Sequence, residues 1–154
     1  MGRSEPCCAA GEVKSLMTPE PVTVTPDTAV SEVWLTMNER RFRHMLVVGE
    51  RGELLGLVTQ RDLLFAASRA DAKLDFRDER PVSEMMHRDL DTVRGDCCAA
   101  EAARHMLRIK RSCLPVVDET GIVIGILTEA DYLRLATRDA PPCTCDGVSA
   151  AGDG

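Results

Sequence analysis

Aromatic side chains are scarce in this 154-residue sequence, which has three Phe, one Tyr and one Trp. Packing must therefore rest on Val, Leu, Ile and Met. Positive charge is also short. Nineteen Lys and Arg against 25 Asp and Glu leave a net charge of −6. That sign argues against a nucleic-acid surface, which needs clustered Lys and Arg, but it leaves room for a local basic pocket around a small anion. No apolar run approaches the ~20 residues that cross a bilayer. The longest, residues 121–127, is strand-sized. Residues 1–11 lack the apolar stretch of a secretory signal, so the chain is expected to be soluble and cytoplasmic, with no membrane partner.

Cysteine is not scarce. Seven occur, as Cys7-Cys8, Cys97-Cys98, Cys113 and Cys143-x-Cys145. An odd number without an export signal argues against a disulfide framework.

What dominates the sequence is a repeat. Gly56-Leu57-Val58-Thr59-Gln60-Arg61-Asp62 returns as Gly125-Ile126-Leu127-Thr128-Glu129-Ala130-Asp131, 69 residues later. The same offset aligns residues 13–64 with 82–133 without a gap, matching Met17 to Met86, Asp27 to Asp96, Met37 to Met106 and Gly52 to Gly121. One long period repeated once means two copies of a supersecondary unit rather than a solenoid.

Each copy reads as β-α-β-β-α. A turn at 13–17 ends at Thr18-Pro19, because Pro disfavours helix at the residue before it. Val22 to Thr25 alternates as a short strand. A helix opens at Pro26-Asp27 with Asp27 as N-cap, burying Val30, Val33, Trp34 and Met37. Met45 to Val48, the turn 49–52 and Glu53 to Val58 form a hairpin, followed by a helix from Asp62 to about Ser68. The second copy has a turn at 82–86 and a strand at Thr92-Val93. A helix from Asp96 then buries Ala99, Ala102 and Met106, ahead of strands 114–117 and 122–127 and a final helix to about Arg138. The expected organisation is an arm (1–12), a first repeat (13–68), a charged linker (69–81), a second repeat (82–138) and a Cys-containing tail (139–154). Neither repeat can bury its own sheet, so the two are expected to pack face to face about a pseudo-twofold axis in an α/β fold.

The repeated Thr-x-x-Asp has two readings. It can be a capping box at a helix start, with Gly56 and Gly125 allowing close backbone approach. It can also be a ligand site, because a helix N-terminus attracts anions and a hydroxyl followed by a carboxylate can hold vicinal hydroxyls such as those of a ribose.

The opening Met17-Thr18-Pro19…Val22-Thr23-Val24, the strands Arg43-His44-Met45-Leu46-Val47-Val48 and Leu114-Pro115-Val116-Val117-Asp118, and both Gly-x-x-Thr-x-x-Asp motifs resemble a tandem CBS-domain pair, or Bateman module. The resemblance covers about residues 13–138. It implies a regulatory, non-catalytic module that binds an adenine nucleotide or related adenosyl ligand such as S-adenosylmethionine between the repeats. It also implies a homodimer that signals to a separate target protein, with no cofactor required. One cleft would take Thr128 and Asp131 with Val22, Thr23 and Val24 beside the base. The other would take Thr59 and Asp62, with Asp91, Thr92 and Val93 beside the base. Basic residues in the family precede the second strand near the phosphates. Arg43 and His44 stand there in the first repeat, whereas Ser112 and Cys113 replace them in the second. The Asp131 cleft is therefore expected to be the better nucleotide site, with Arg61 compensating in part beside Asp62.

His87 and His105 have no ligand-like neighbours in sequence, and His105 is expected at the surface. Cys97-Cys98 at a helix start are read either as thiols activated by the dipole or as small buried residues. Two alternatives come from other classes. Cys7, Cys8, Cys143 and Cys145 could gather into a metal or redox site, although their spacing is not the common C-x-x-C knuckle. The chain could also be a dimerisation scaffold with empty clefts.

Overall fold

A computed structural model describes residues 10–69 and 77–138. Two similar units follow one another. The first holds α1 (Val13–Leu16), β1 (Thr18–Pro19), β2 (Thr23–Val24), α2 (Val30–Arg40), β3 (His44–Val48), β4 (Leu54–Thr59) and α3 (Gln60–Arg69). The second holds a 3-10 turn (Val82–Glu84), β5 (Val93–Arg94), α4 (Ala99–Ile109), β6 (Cys113–Val117), β7 (Val123–Thr128) and α5 (Glu129–Thr137). Among the described residues no helix is long and apolar enough to cross a membrane.

The strands form two sheets, β2-β3-β4 and β1-β7-β6-β5. Within each unit the first crossover is parallel and the hairpin antiparallel. Both hairpins shift register at matching places, Val47/Val48 and Val116/Val117. Their turns place Gly52 and Gly121 at φ 83° and 85°, a region open to Gly at little cost.

The sheets meet through Leu46, Leu57, Cys113 and Ile126. The pseudo-twofold axis can be located by hydrogen bonds that mirror each other. Leu54 N–H donates to the Gly121 carbonyl at 3.3 Å, and Val123 N–H donates to the Gly52 carbonyl at 3.0 Å. Glu53 and Ile122, equivalent positions of the two repeats, face each other between them.

The core is built by exchange. Val82 and Met86 of the second repeat complete the cluster of Val30, Val33, Met37, Met45, Val47, Val58 and Leu63 in the first. Val13, with Leu16 and Met17, completes the cluster of Ala102, Met106, Leu114, Val116 and Leu127 in the second. Each short apolar turn therefore packs on the repeat it does not precede. This crossing explains the repeated glycines. A Cβ at Gly56 would meet Met86 Sδ at 2.5 Å, and one at Gly125 would strike Met17 Sδ and come within 3.0 Å of the Thr18 carbonyl.

Helix starts differ from the sequence expectation for the same reason. Asp27 does not cap α2, and Asp96 does not open α4; the N-caps are Ala29 and Cys98. The free amides are instead taken by backbone carbonyls that cross between units. Val30 N–H donates to Arg80 O at 2.9 Å and Ser31 N–H to Asp78 O at 3.0 Å, while Ala99 N–H donates to Gly11 O at 2.9 Å. The end of the linker is thus a helix cap as well as a spacer. The opening Thr18-Pro19, read as a helix stop, also pairs as an edge strand with Ile126 and Gly125 of β7.

Because protein cores resist added volume, Gly56→Ala and Gly125→Ala should each destabilise the fold by about 1–3 kcal/mol. Gly125→Ala should cost more, since part of its clash is with backbone rather than with a bendable Met side chain. Urea denaturation of the two variants checks this, and an unchanged midpoint for Gly125→Ala would contradict it.

Candidate functional site

The two Thr-x-x-Asp motifs do form caps. Thr128 N–H and Oγ1–H both donate to Asp131 Oδ2, at 2.7 and 2.8 Å, and the pair makes a capping box at the start of α5. Thr59 N–H and Oγ1–H donate to Asp62 Oδ2 at 2.9 and 2.7 Å. In each motif one carboxylate oxygen is used by the cap and the other points elsewhere. What it meets separates the two clefts.

Asp131 is 3 % exposed, and its Oδ1 accepts from Arg134 Nη1 at 2.7 Å. Arg134 lies one turn further along α5, and its side chain is largely in solvent. Above this pair, between the repeats, opens a cavity of about 320 Å³. Thr128, Val22, Arg43 and His44 line it. Asp131 lies beneath its wall. Thr23 and Val24 are not on its surface, because their strand pairs with Leu46 and Val47 of β3.

Arg41 and Arg134, which no motif marks, also line it, as does Ser112, named in sequence only as the replacement of a basic residue in the second repeat. Arg41 ends α2 in the left-handed conformation, with φ 56°, a position usually held by Gly. The equivalent Lys110 ends α4 in the same conformation, with φ 54°. Arg41, Arg43 and Arg134 together surround the cavity with guanidinium groups near the positive end of α5, beside the carboxylates of Glu20 and Glu129.

His44 Nε2 lies 2.8 Å from Ser112 Oγ, joining β3 to the segment before β6. Burial lowers the imidazole pKa below its ordinary 6.5, Arg43 lowers it further, and Asp62 opposes them. His44 is therefore neutral at neutral pH.

Asp62 is engaged from the other repeat. Its Oδ1 is held by His87 Nε2 at 3.0 Å, a contact that sequence spacing did not reveal because the two residues belong to different repeats. His87 is positioned by reciprocal backbone bonds with Leu57, at 2.8 and 2.9 Å. Asp91 and Leu90 line a separate pocket of about 10 Å³ with Leu57, Arg111 and Cys113. Asp91 pairs with His105 at 3.2 Å, so His105 is not a free surface residue. Arg61 does not turn toward Asp62; its guanidinium sits 5.6 Å from the Phe65 ring centroid. Thr92 lines a separate open groove of about 250 Å³ with Arg88, and Val93 packs in the second core. Arg61, Thr92 and Val93 thus lie in three different surroundings.

Cys7, Cys8, Cys143 and Cys145 lie outside the described residues. Among those described, Cys97 and Cys113 are free thiols, and burial pushes the Cys113 thiol up to about 12. Cys98 is disulfide-bonded, so it is not the free thiol that the sequence suggested. No group of three or more potential metal ligands occurs among the described residues.

A family model described as CBS domain matches residues 13–69 and 82–138. Magnesium transporter MgtE of Thermus thermophilus is 34% identical over 134 residues, 84% of this chain and 28% of that protein. The chain spans less than a third of the length of the curated relatives it matches. Among solved structures, CBSX2 in complex with AMP is 29% identical with a TM-score of 0.74, over 84% of this chain and 98% of that one. The CBS domain pair of protein MJ0100, in complex with 5′-methylthioadenosine and S-adenosyl-L-methionine, is 26% identical with a TM-score of 0.71, over 81% and 94%.

The Asp62 contacts carry a pH signature. Burial alone would raise this carboxyl pKa, but hydrogen bonds from the Thr59 hydroxyl, His87 and the Thr59 amide outweigh it and hold it below the ordinary 3.8. A folded-state value below the unfolded one means stability that is full above the unfolded pKa and lost as pH falls through the folded one. Asp62→Asn should therefore flatten the acid limb of stability, measured by urea unfolding at pH 5 and below. An acid limb unchanged in the variant would contradict the assignment.

Proposed function

Since this chain belongs to the CBS-domain family as a tandem pair, we propose that it is a regulatory module that binds an adenine nucleotide in the cavity above Asp131. The observation that carries this reading is the joining of a 320 Å³ cavity to Arg41, Arg43 and Arg134 at the start of α5. Guanidinium groups and a helix N-terminus both favour phosphate. The complexes of CBSX2 with AMP and of the MJ0100 pair with adenosyl compounds give the ligand class.

In this reading Asp131 receives the ribose hydroxyls. Arg134 leaves Asp131 Oδ1 and turns to the phosphate, while Val22 borders the base. The Asp62 cleft stays empty because His87 already occupies its carboxylate, so one nucleotide binds per chain. The ligand touches β1–β2 and β3 of the first repeat and β7–α5 of the second, so its binding draws the repeats toward one relative arrangement. It shifts that equilibrium by its differential affinity for the two arrangements. Exposed Leu35, Leu64, Phe65, Leu107 and Leu133 on the outer helices offer an apolar surface for a homodimer, through which the change reaches a target protein. The chain performs no catalysis of its own.

Isothermal titration with AMP tests the site. Arg43→Ala should weaken binding by about 1–3 kcal/mol, the worth of a charge-assisted hydrogen bond. Arg61→Ala, in the other motif, should leave affinity within twofold. Equal losses in the two variants would move the site away from the Asp131 cavity.

A further inference from the structure

We propose that His44 makes the Asp131 cavity select anionic, phosphate-bearing adenosyl ligands over a cationic sulfonium ligand, by taking up a proton as the ligand binds. This deepens the nucleotide-site reading and rests on it.

The geometry begins with the pair His44 Nε2 and Ser112 Oγ at 2.8 Å. The residues come from different repeats, and both face the cavity. A neutral imidazole has one donor nitrogen and one acceptor, whereas an imidazolium donates from both. When His44 is protonated, Nε2–H donates to Ser112 Oγ, and the serine hydroxyl hydrogen is free to donate into the cavity. A phosphate oxygen there completes the chain imidazolium, hydroxyl, phosphate. The incoming proton comes from solvent and stays on the imidazole, and no bond of the ligand breaks.

The surroundings set the direction. Arg43 immediately precedes His44 and β3, and Asp62 belongs to the motif of Thr59, which is paired with His44 across the β3–β4 hairpin. Cys113 adjoins Ser112 as a neutral thiol. Glu20, Arg41, Glu129 and Arg134 line the cavity that both residues face. Burial and Arg43 keep the free imidazole neutral. A phosphate dianion beside Arg43 offsets that positive field and favours the charged imidazole. A sulfonium ligand adds positive charge and has the opposite effect. The equivalent position in the second repeat is Cys113, buried and without a charged form at neutral pH, so the device exists on one side of the module only.

The test is calorimetric titration of the full chain with AMP at pH 7.5, in buffers of differing ionisation enthalpy. AMP is already a dianion there, because a phosphate monoester has its second pKa near about 6. The expected result is uptake of a substantial fraction of one proton per AMP bound, absent in His44→Gln. Affinity should rise as pH falls from 8.5 to 7, approaching tenfold per pH unit as uptake approaches one proton, which is the linkage limit. S-adenosylmethionine should bind more weakly and without uptake. His44→Asn serves the same comparison should the Gln variant fail to fold. AMP binding with no proton uptake, or with the same uptake in the His44 variant, overturns this inference alone. Silence of the folded protein toward AMP, ADP and ATP overturns the nucleotide reading and this inference together.

Discussion

The exchange of apolar turns is the interaction on which the rest of the structure depends. Val13 and Met17 finish the second core, and Val82 and Met86 finish the first. Neither sheet is covered by its own repeat alone. The exchange brings the chain before each β-α-β-β-α unit across the pseudo-twofold axis, where it also caps the opposite helix. Thr18 and His87, which follow the exchanged turns, are thereby laid against β7 and β4 of the other repeat. The clefts between repeats are a consequence of this crossing.

Symmetry of the backbone then allows asymmetry of chemistry. The same fold places Thr18 near one Thr-x-x-Asp motif and His87 near the other. An imidazole reaches the spare carboxylate oxygen of Asp62 from across the interface. Asp131 has no such visitor; its spare oxygen is met by Arg134, a side chain that extends largely into solvent. The two clefts thus differ in what meets the carboxylate, as well as at the equivalent pairs Arg43 and Ser112, and His44 and Cys113.

Much of this was legible in the residues. A constant offset of 69 showed two repeats, and apolar periodicity located the strands and helices to within a few positions. Thr128, Val22, Arg43 and His44, which the family resemblance assigns to one cleft, line one cavity. What escaped depended on contacts between repeats. Gly56 and Gly125 read in sequence as points of close backbone approach, but the sequence does not show that a Met from the other repeat lies over each. Asp27 has the right chemistry for a cap, but crossing carbonyls already occupy the amides it would serve. His87 has no partner within its own repeat, so no spacing could pair it with Asp62. Arg41 and Arg134 belong to helix ends where arginine is ordinary, and only the cavity gives them meaning. Arg61 adjoins Asp62 in sequence but stacks on Phe65, one helical turn further on.

The central claim is the proposal that the cavity above Asp131 takes one nucleotide, while His87 holds the Asp62 carboxylate against a second. Equilibrium dialysis of the purified chain against radiolabelled AMP, carried to saturation, measures this directly. The account predicts one AMP per chain. Saturation at two per chain would show that the His87–Asp62 contact does not close its cleft, and no bound AMP would show that the open cavity is not a nucleotide site.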